Sequence, residues 1–296
     1  MELRKLGNGL LLMPGSPATL IVPTDSGLTL VDPGYPAERA RDLVSAISAL
    51  GGGDVTVVLT HSHSDHVAAV QGLVEAVGAK VVAPRLEVCA AESPELRGAM
   101  TFGGRSPRNF IHSLEALPVR VHGSFEAPAE VAGLRAIPTP GHSFGHVSLL
   151  APSDLLYAGD CVFGERLLRS VVVPYHQDYA GALETLRSLE GNADTFRKLV
   201  PSHGPVVSGK RVSQLIQANI RALEELPKLA VRVTSGRPMG VEEMAARLLK
   251  LGGTPITPSS VILACVTLRS MVAHLLEQGL ATPVADERGV RWKLSL

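Results

Sequence analysis

Cysteine is scarce in this chain: three residues among 296, Cys89, Cys161 and Cys265, far apart and odd in number. That spacing encodes no disulfide framework and points to a reducing compartment. Aromatic residues make up only 4% of the chain, with Trp292 the single tryptophan, so a base-stacking surface of the kind that grips single strands is not evident. Net charge is also missing. The 28 basic and 28 acidic residues cancel, which argues against a general polyanion binder. No uninterrupted apolar run approaches membrane-spanning length, and MELRKLGNGLLLMPGSPATL carries no convincing cleavage site; the sequence predicts a soluble, cytoplasmic protein with no membrane partner.

What remains is a chain that is 45% hydrophobic and 19% charged, the composition of a compact globular protein long enough for one large domain and a small one. The zero total hides an asymmetry. Residues 1–205 carry 16 basic and 21 acidic side chains, a net of minus 5, whereas residues 206–296 carry 12 and 7, a net of plus 5.

The first fifty residues alternate short apolar runs with turn signals (LLLMPGS, TLIVPTDSG, LTLVDPG) and predict hairpin-rich β structure. RARDLVSAISALGGG then predicts a helix stopped by glycines, DVTVVLTH a buried strand, VAAVQGLVEAVG a second helix and AKVVAPR another strand. Residues 92–130, rich in Pro, Gly and charge, read as an irregular excursion. Strands return at VAGLRAIPTPG, HVSLLAP and DLLYAGD, followed by the helix DYAGALETLRSLEG and the strand and turn LVPSHGPVV. Mixed sheets with helices packed outside follow from this order. After His203 the pattern changes to three helices, RVSQLIQANIRALEEL, VEEMAARLLK and SSVILACVTLRSMVAHLLEQG, and a hairpin in LATPVADERGVRWKLSL. That content describes a winged helix, and it divides the chain into a larger domain, 1–208, and a winged-helix domain, 209–296.

The chemistry is concentrated in VLTHSHSDHVAAV, which places three histidines and an aspartate within six residues at the end of a buried strand. His61 and His63, two apart on an extended segment, face the same way. Asp65 and His66 follow where the chain enters a helix. Buried unpaired imidazoles and carboxylates are costly, whereas nitrogen and oxygen donors at this spacing suit zinc or a similar divalent metal, and two subsets so close suit a pair. PTPGHSFGH, YAGDCVFG and VPSHGPVV each put a further His or Asp beside glycine at a strand end.

HSHSDH, then PGH, then GD, then a late SHG resembles the metallo-β-lactamase superfamily at every metal-ligand position. The resemblance implies an α+β fold, the four-layer αββα sandwich, with its site at one edge. It also implies that His61, His63 and His142 hold one metal, that Asp65, His66 and His203 hold the second, and that Asp160 bridges both. Two zinc ions are expected, with iron or manganese as alternatives. GDCVFGE, DYAGALETLRSLE, SHGPVV and the basic tail resemble the branch that includes animal β-lactamase-like-protein-2 endoribonucleases and fungal polyketide thioesterases. Asp32 in LTLVDPG resembles the superfamily's early Asp, which supports the ligands from behind.

The implied activity is hydrolysis by a metal-bridging hydroxide, a nucleophile at neutral pH because metal binding lowers the pKa of water to about 7. Asp160 and Asp65 are the catalytic carboxylates on this reading, Asp65 orienting the nucleophile or passing a proton to the leaving group. A small-molecule acyl thioester or ester is the expected substrate. Single-stranded RNA is the alternative, motivated by the basic tail; an iron-bound oxidoreductase and a metal-sensing regulator are further classes.

Other residues carry weaker expectations. Cys161, adjacent to Asp160 on a strand, points to the opposite face and packs. His146 reads as a turn or supporting residue, Tyr175 and His176 as an exposed loop open to substrate, and His112, His122 and His274 as structural. The third tail helix offers only Arg269 to a nucleic-acid groove, few basic groups for such a role. Its ILACV run predicts packing against the catalytic domain or against a second subunit in a homodimer. Lys210, Arg211, Arg288, Arg291 and Lys293 could steer an anionic substrate.

Overall fold

The computed structural model describes residues 3–106 and 117–295, so His112 lies outside the described residues. Strands β1 (Arg4–Gly7), β2 (Leu10–Met13), β3 (Thr19–Thr24) and β4 (Gly27–Val31) pair antiparallel in chain order, and β5 (Asp54–Val58), β6 (Lys80–Pro84) and β7 (Gly123–Phe125) extend the same sheet in parallel. Parallel neighbours need crossovers. Helix α1 (Arg39–Ala49) makes the one between β4 and β5; α2 (Ser64–Val67) and α3 (Val70–Val77) make the one between β5 and β6. A second sheet holds β8 (Ala129–Val131), β9 (Leu134–Pro138), β10 (Val147–Ala151), β11 (Leu155–Gly159), β12 (Lys198–Pro201) and β13 (Val207–Ser208) in the order β13-β12-β11-β10-β9-β8.

Strand periodicity explains the layers. Along β3, Leu20 and Val22 enter the core between the sheets, while Ile21 joins the core under α1 and α3. Along β11, Leu155 and Tyr157 face the first sheet, and Leu156 and Ala158 face α7 (Tyr179–Gly191). Each sheet is thus buried on both faces, giving the helix-sheet-sheet-helix sandwich.

The excursion expected over 92–130 is more regular than its composition suggests. Among its described residues it carries α5 (Pro94–Phe102) and β7, with α4 (Val88–Glu92) leading into it. The signal was local: Ser93 and Pro94 open α5 in the positions helix starts favour, and Gly103 closes it in a left-handed conformation. The helix predicted at VAAVQGLVEAVG is also broken. The Ala69 amide donates to the Gly34 carbonyl at 3.0 Å, and Gly34 donates to the His66 carbonyl at 3.1 Å. These bonds tie the turn after β4 to α2 and hold Asp32 beside His66.

The tail contains α8 (Lys210–Thr234), α9 (Val241–Leu251), α10 (Pro258–Glu277) and the hairpin of β14 (Ala281–Asp286) and β15 (Gly289–Leu294), with Met239 bridged to Trp292. Sequence ends the first of these helices before Pro227, yet α8 runs through it. Proline cannot donate to the carbonyl four residues back; the Tyr179 hydroxyl donates to that carbonyl, Leu223, at 3.0 Å instead. One apolar core runs without a break from Leu156 and Tyr179 to Met271 and Leu294. α10 is long and apolar enough by length and composition to cross a membrane, which corrects the sequence reading that no stretch approaches that length; Arg269 and the polar residues along it had made the run look interrupted. Its buried residues, Leu268, Met271 and Leu275 among them, lie in this shared core.

Candidate metal centre

The donors collect at the edge where β5, β9, β11 and β12 end. His61 and His63 follow β5, His63 in extended conformation, and α2 then turns Asp65 and His66 back toward them. His142 stands on the β9–β10 turn, Asp160 follows β11 and His203 follows β12. Donor atoms of His61, His63 and His142 lie within 4.8 Å of one another, and so do those of Asp65, His66 and His203. Asp160 faces both groups: Oδ1 is 3.3 Å from His66 Nε2, and Oδ2 is 3.3 Å from His142 Nε2 and 3.4 Å from His203 Nε2. The structure therefore brings together all seven residues singled out in the sequence.

Two glycines make the approach feasible. Gly159 has φ of +57°, and a Cβ there would lie 2.5 Å from His146 Nε2; Gly141 has φ of +133°, and a Cβ there would meet Ala182 at 2.4 Å. A side chain at either position would displace the loop that carries a donor.

The outward nitrogens are assigned by what lies behind them. Asp32 is fully buried and accepts from the Thr60 amide at 2.9 Å and from the Thr60 hydroxyl at 2.7 Å, while His66 Nδ1 is 2.7 Å from its Oδ2. Because the Thr60 hydroxyl spends its hydrogen on Asp32, it accepts from His61 Nδ1 at 3.0 Å. One carboxylate thereby fixes two imidazoles with their Nε2 lone pairs aimed at the site. His142 Nδ1 donates to the Tyr175 carbonyl at 2.9 Å, and His203 Nδ1 meets the Ser16 hydroxyl at 2.7 Å. His146 takes the supporting position: its Nε2 accepts from the Asp160 amide at 3.0 Å and its Nδ1 meets the Thr139 hydroxyl at 2.9 Å.

These contacts leave the inner atoms without partners. His61 Nε2, His66 Nε2 and Asp160 Oδ1 are buried and lack any hydrogen bond. Each such atom costs about 1–3 kcal/mol, and folded proteins seldom accumulate several in one place. His66 Nε2 and Asp160 Oδ1 are close without hydrogen-bond geometry, as two donors aimed at a common point would be. The residues present fit divalent metal ions.

Electrostatics divide the imidazoles into two sets: against burial, which lowers it, Asp160, Asp32 and Asp65 raise His66 well above the ordinary histidine value. Burial, reinforced by the neighbouring imidazole of His66, holds His61 well below the ordinary histidine value, and burial lowers His142 in the same way despite Asp160. Burial acts against His203 too, but Asp160 and Asp65 together overcome it and raise that imidazole to about 10. For Asp160 burial favours the neutral acid; His203, His66 and His142 overcome it and hold the carboxyl well below the usual range. Cys161 is absent from the set: its Sγ donates to the Ala158 carbonyl at 3.0 Å, and burial pushes the thiol up to about 12.

Sequence reasoning missed three supports. Glu87, buried and inconspicuous in RLEVCAAE, accepts from the Ser62 amide and hydroxyl at 3.0 and 2.6 Å, from the Ser143 hydroxyl at 2.7 Å and from the Gly145 amide at 2.9 Å. It joins the HSHSDH turn to the PGH loop. Arg39 gives its guanidinium to the carbonyls of Met13, Pro14 and Pro33, and so pins the turn beside Asp32. Thr267 of α10 donates to the Pro174 carbonyl at 2.9 Å and accepts from the His176 amide at 2.8 Å, holding the strap whose Tyr175 carbonyl orients His142. His176 is consequently buried rather than exposed, and its ring packs against Phe163. His122 accepts from the Val81 amide, and His274 packs on Tyr179.

A cavity of about 360 Å³ opens beside the donors, lined by His63, Asp65, His142, Asp160 and His203. Its other walls are mostly apolar, and they come from the strap, α6 (Glu165–Ser170), α9 and α10. No Lys or Arg lines it among the described residues.

Residues 14–203 match the sequence profile of the metallo-beta-lactamase superfamily. The chain is 26% identical over 216 residues to a beta-lactamase-like protein 2 homolog from Caenorhabditis elegans, covering 71% of this chain and 64% of that protein. It is 28% identical over 207 residues to the atrochrysone carboxyl ACP thioesterase of Aspergillus fumigatus, covering 68% of this chain and 54% of that protein. The chain thus spans less than two thirds of either relative. A metallo-beta-lactamase family protein from Thermus thermophilus shares the fold with a TM-score of 0.73 and 21% identity, over 98% of this chain and 100% of that one. From the profile, which takes in every donor from His61 to His203, and from the shared sandwich, this chain belongs to the metallo-β-lactamase superfamily of metal-dependent hydrolases.

Proposed function

We propose that the protein is a dinuclear, zinc-dependent hydrolase of small acyl thioesters or esters. The observation that carries this is the cavity, where the donors share one space with apolar walls and with no basic side chain among the described residues. An uncharged acyl group suits such apolar walls; an RNA strand, whose phosphates flanking the scissile one need cationic partners of their own, finds none there among the described residues.

His61, His63 and His142 would hold one ion, Asp65, His66 and His203 the other, and Asp160 would face both. Bound there, the pair supplies Lewis acidity and lowers the pKa of water toward 7. The chain's own residues do the rest. Asp65, about 30% exposed and 3.2 Å from His203 Nε2, is the carboxylate that reaches the cavity. Its oxygen takes the proton of the attacking water and returns it to the leaving sulfur, so that thioester and water give carboxylic acid and thiol. The apolar walls exclude bulk water and strengthen each polar contact at the carbonyl.

RNA cleavage has two features in its favour, the basic tail and the similarity to the beta-lactamase-like protein 2 homolog. Two of the tail's cations are already engaged, since Arg288 and Arg291 both pair with Asp286. Zinc-loaded protein offered an acyl thioester and a single-stranded RNA in parallel is expected to turn over the thioester alone. RNA cleavage abolished by Asp160→Ala, with no thioester turnover, would replace this reading with the nuclease one.

A further inference from the structure

The cavity walls opposite the donors come from two sources. Phe163, Leu167 and Leu168 belong to the catalytic region; Leu249 comes from α9, and Leu263 and Ala264 from α10. The tail helices are fastened there, not merely near. The Gly252 backbone sits so close to Val172 that a Cβ would lie 2.5 Å from the valine side chain. Thr254 donates to the Ser170 carbonyl at 3.1 Å, and Thr267 makes its two bonds to the strap. A wall tethered at three points has a defined position, and its distance from the donors limits what fits between.

From this geometry we infer that the cavity is an acyl-chain channel for unbranched, medium-length fatty acyl groups, and that α9 and α10 set the chain length it accepts. The inference rests on the thioesterase reading and names its substrate class. The polar groups in the lining away from the donors are neutral: Thr101, Tyr175, Thr254 and Ser260. No charged group there, among the described residues, would pair with a polar acyl chain. At roughly 30 Å³ per atom, the share of a water molecule in the liquid, about 360 Å³ holds about twelve heavy atoms, a chain of about 8 to 11 carbons with its carbonyl oxygen. Each methylene buried in such a channel raises kcat/KM about fourfold, until the wall is reached.

The test uses the full chain loaded with zinc and a series of S-acyl-N-acetylcysteamine thioesters from two to sixteen carbons. We expect kcat/KM to climb about fourfold per methylene and to fall beyond about eleven carbons. Leu263→Trp, at a half-buried wall position, moves the optimum about two carbons shorter. Leu167→Ala moves it longer. Calorimetric binding of free fatty acids of the same lengths provides a readout independent of turnover and should peak at the same length. Thioester hydrolysis with a flat length profile, or variants that scale every length alike, would overturn the channel and leave the thioesterase reading standing. Fatty-acid binding with the expected optimum but no hydrolysis of any thioester would do the reverse.

Discussion

The metal-binding edge is held by buried polar atoms, with Asp32, Glu87 and His146 making close bonds to the turns that carry the donors. The wall across the cavity is held by apolar packing and two threonine tethers, one from the loop after α9 and one from α10. Catalytic donors have to be fixed in direction, which hydrogen bonds do and packing alone does not. A surface that selects an acyl chain needs shape and the absence of charge, and apolar side chains supply both. On the proposed reading, chemistry and specificity reside on opposite sides of one space and respond differently to substitution.

Breaking the edge has the largest effects. Asp160→Ala removes the one carboxylate that faces both donor groups and should lower kcat/KM on any thioester by about a thousandfold or more, while the far-ultraviolet circular dichroism stays native. Glu87→Ala strips the acceptor from two amides and two hydroxyls and should cost about 2–4 kcal/mol of stability in urea unfolding; Glu87→Gln should recover part of it. Asp32→Asn leaves the shape but puts an amide where Thr60 and His66 need an acceptor. Zinc affinity should fall about 10–100-fold, measured by competition with a chelator. The smallest effect sharpens the comparison from the packed side. Tyr179→Phe leaves the Leu223 carbonyl beside Pro227 without its donor and should cost about 1 kcal/mol of stability with zinc affinity unchanged.

The donors were readable because each sits in a short segment at a strand end, with glycine beside His142, Asp160 and His203, and because the order of these segments resembles the superfamily's. His61, His63, Asp65, His66, His142, Asp160 and His203 needed no knowledge of distant packing. Asp32 was readable on the same ground. Glu87 was not: a single acid in an ordinary amphipathic stretch acquires its role only when Ser62 and Ser143 arrive from elsewhere in the chain. The same holds for α10. Its apolar run predicted a buried face, but nothing local says that Leu263 and Ala264 look into the catalytic cavity. Pro227 shows the limit from the other direction, since the residue that lets α8 continue, Tyr179, lies on a different helix. The short-range rule for proline was sound, and a long-range hydrogen bond overrode it.

The most direct test of the account is the rate of hydrolysis of a medium-chain acyl thioester by protein stripped of metal and then reloaded with zinc. The account predicts that turnover disappears on stripping and returns as the second equivalent of zinc binds. Turnover that persists without metal, or a fully loaded protein that leaves the thioester intact, would contradict it.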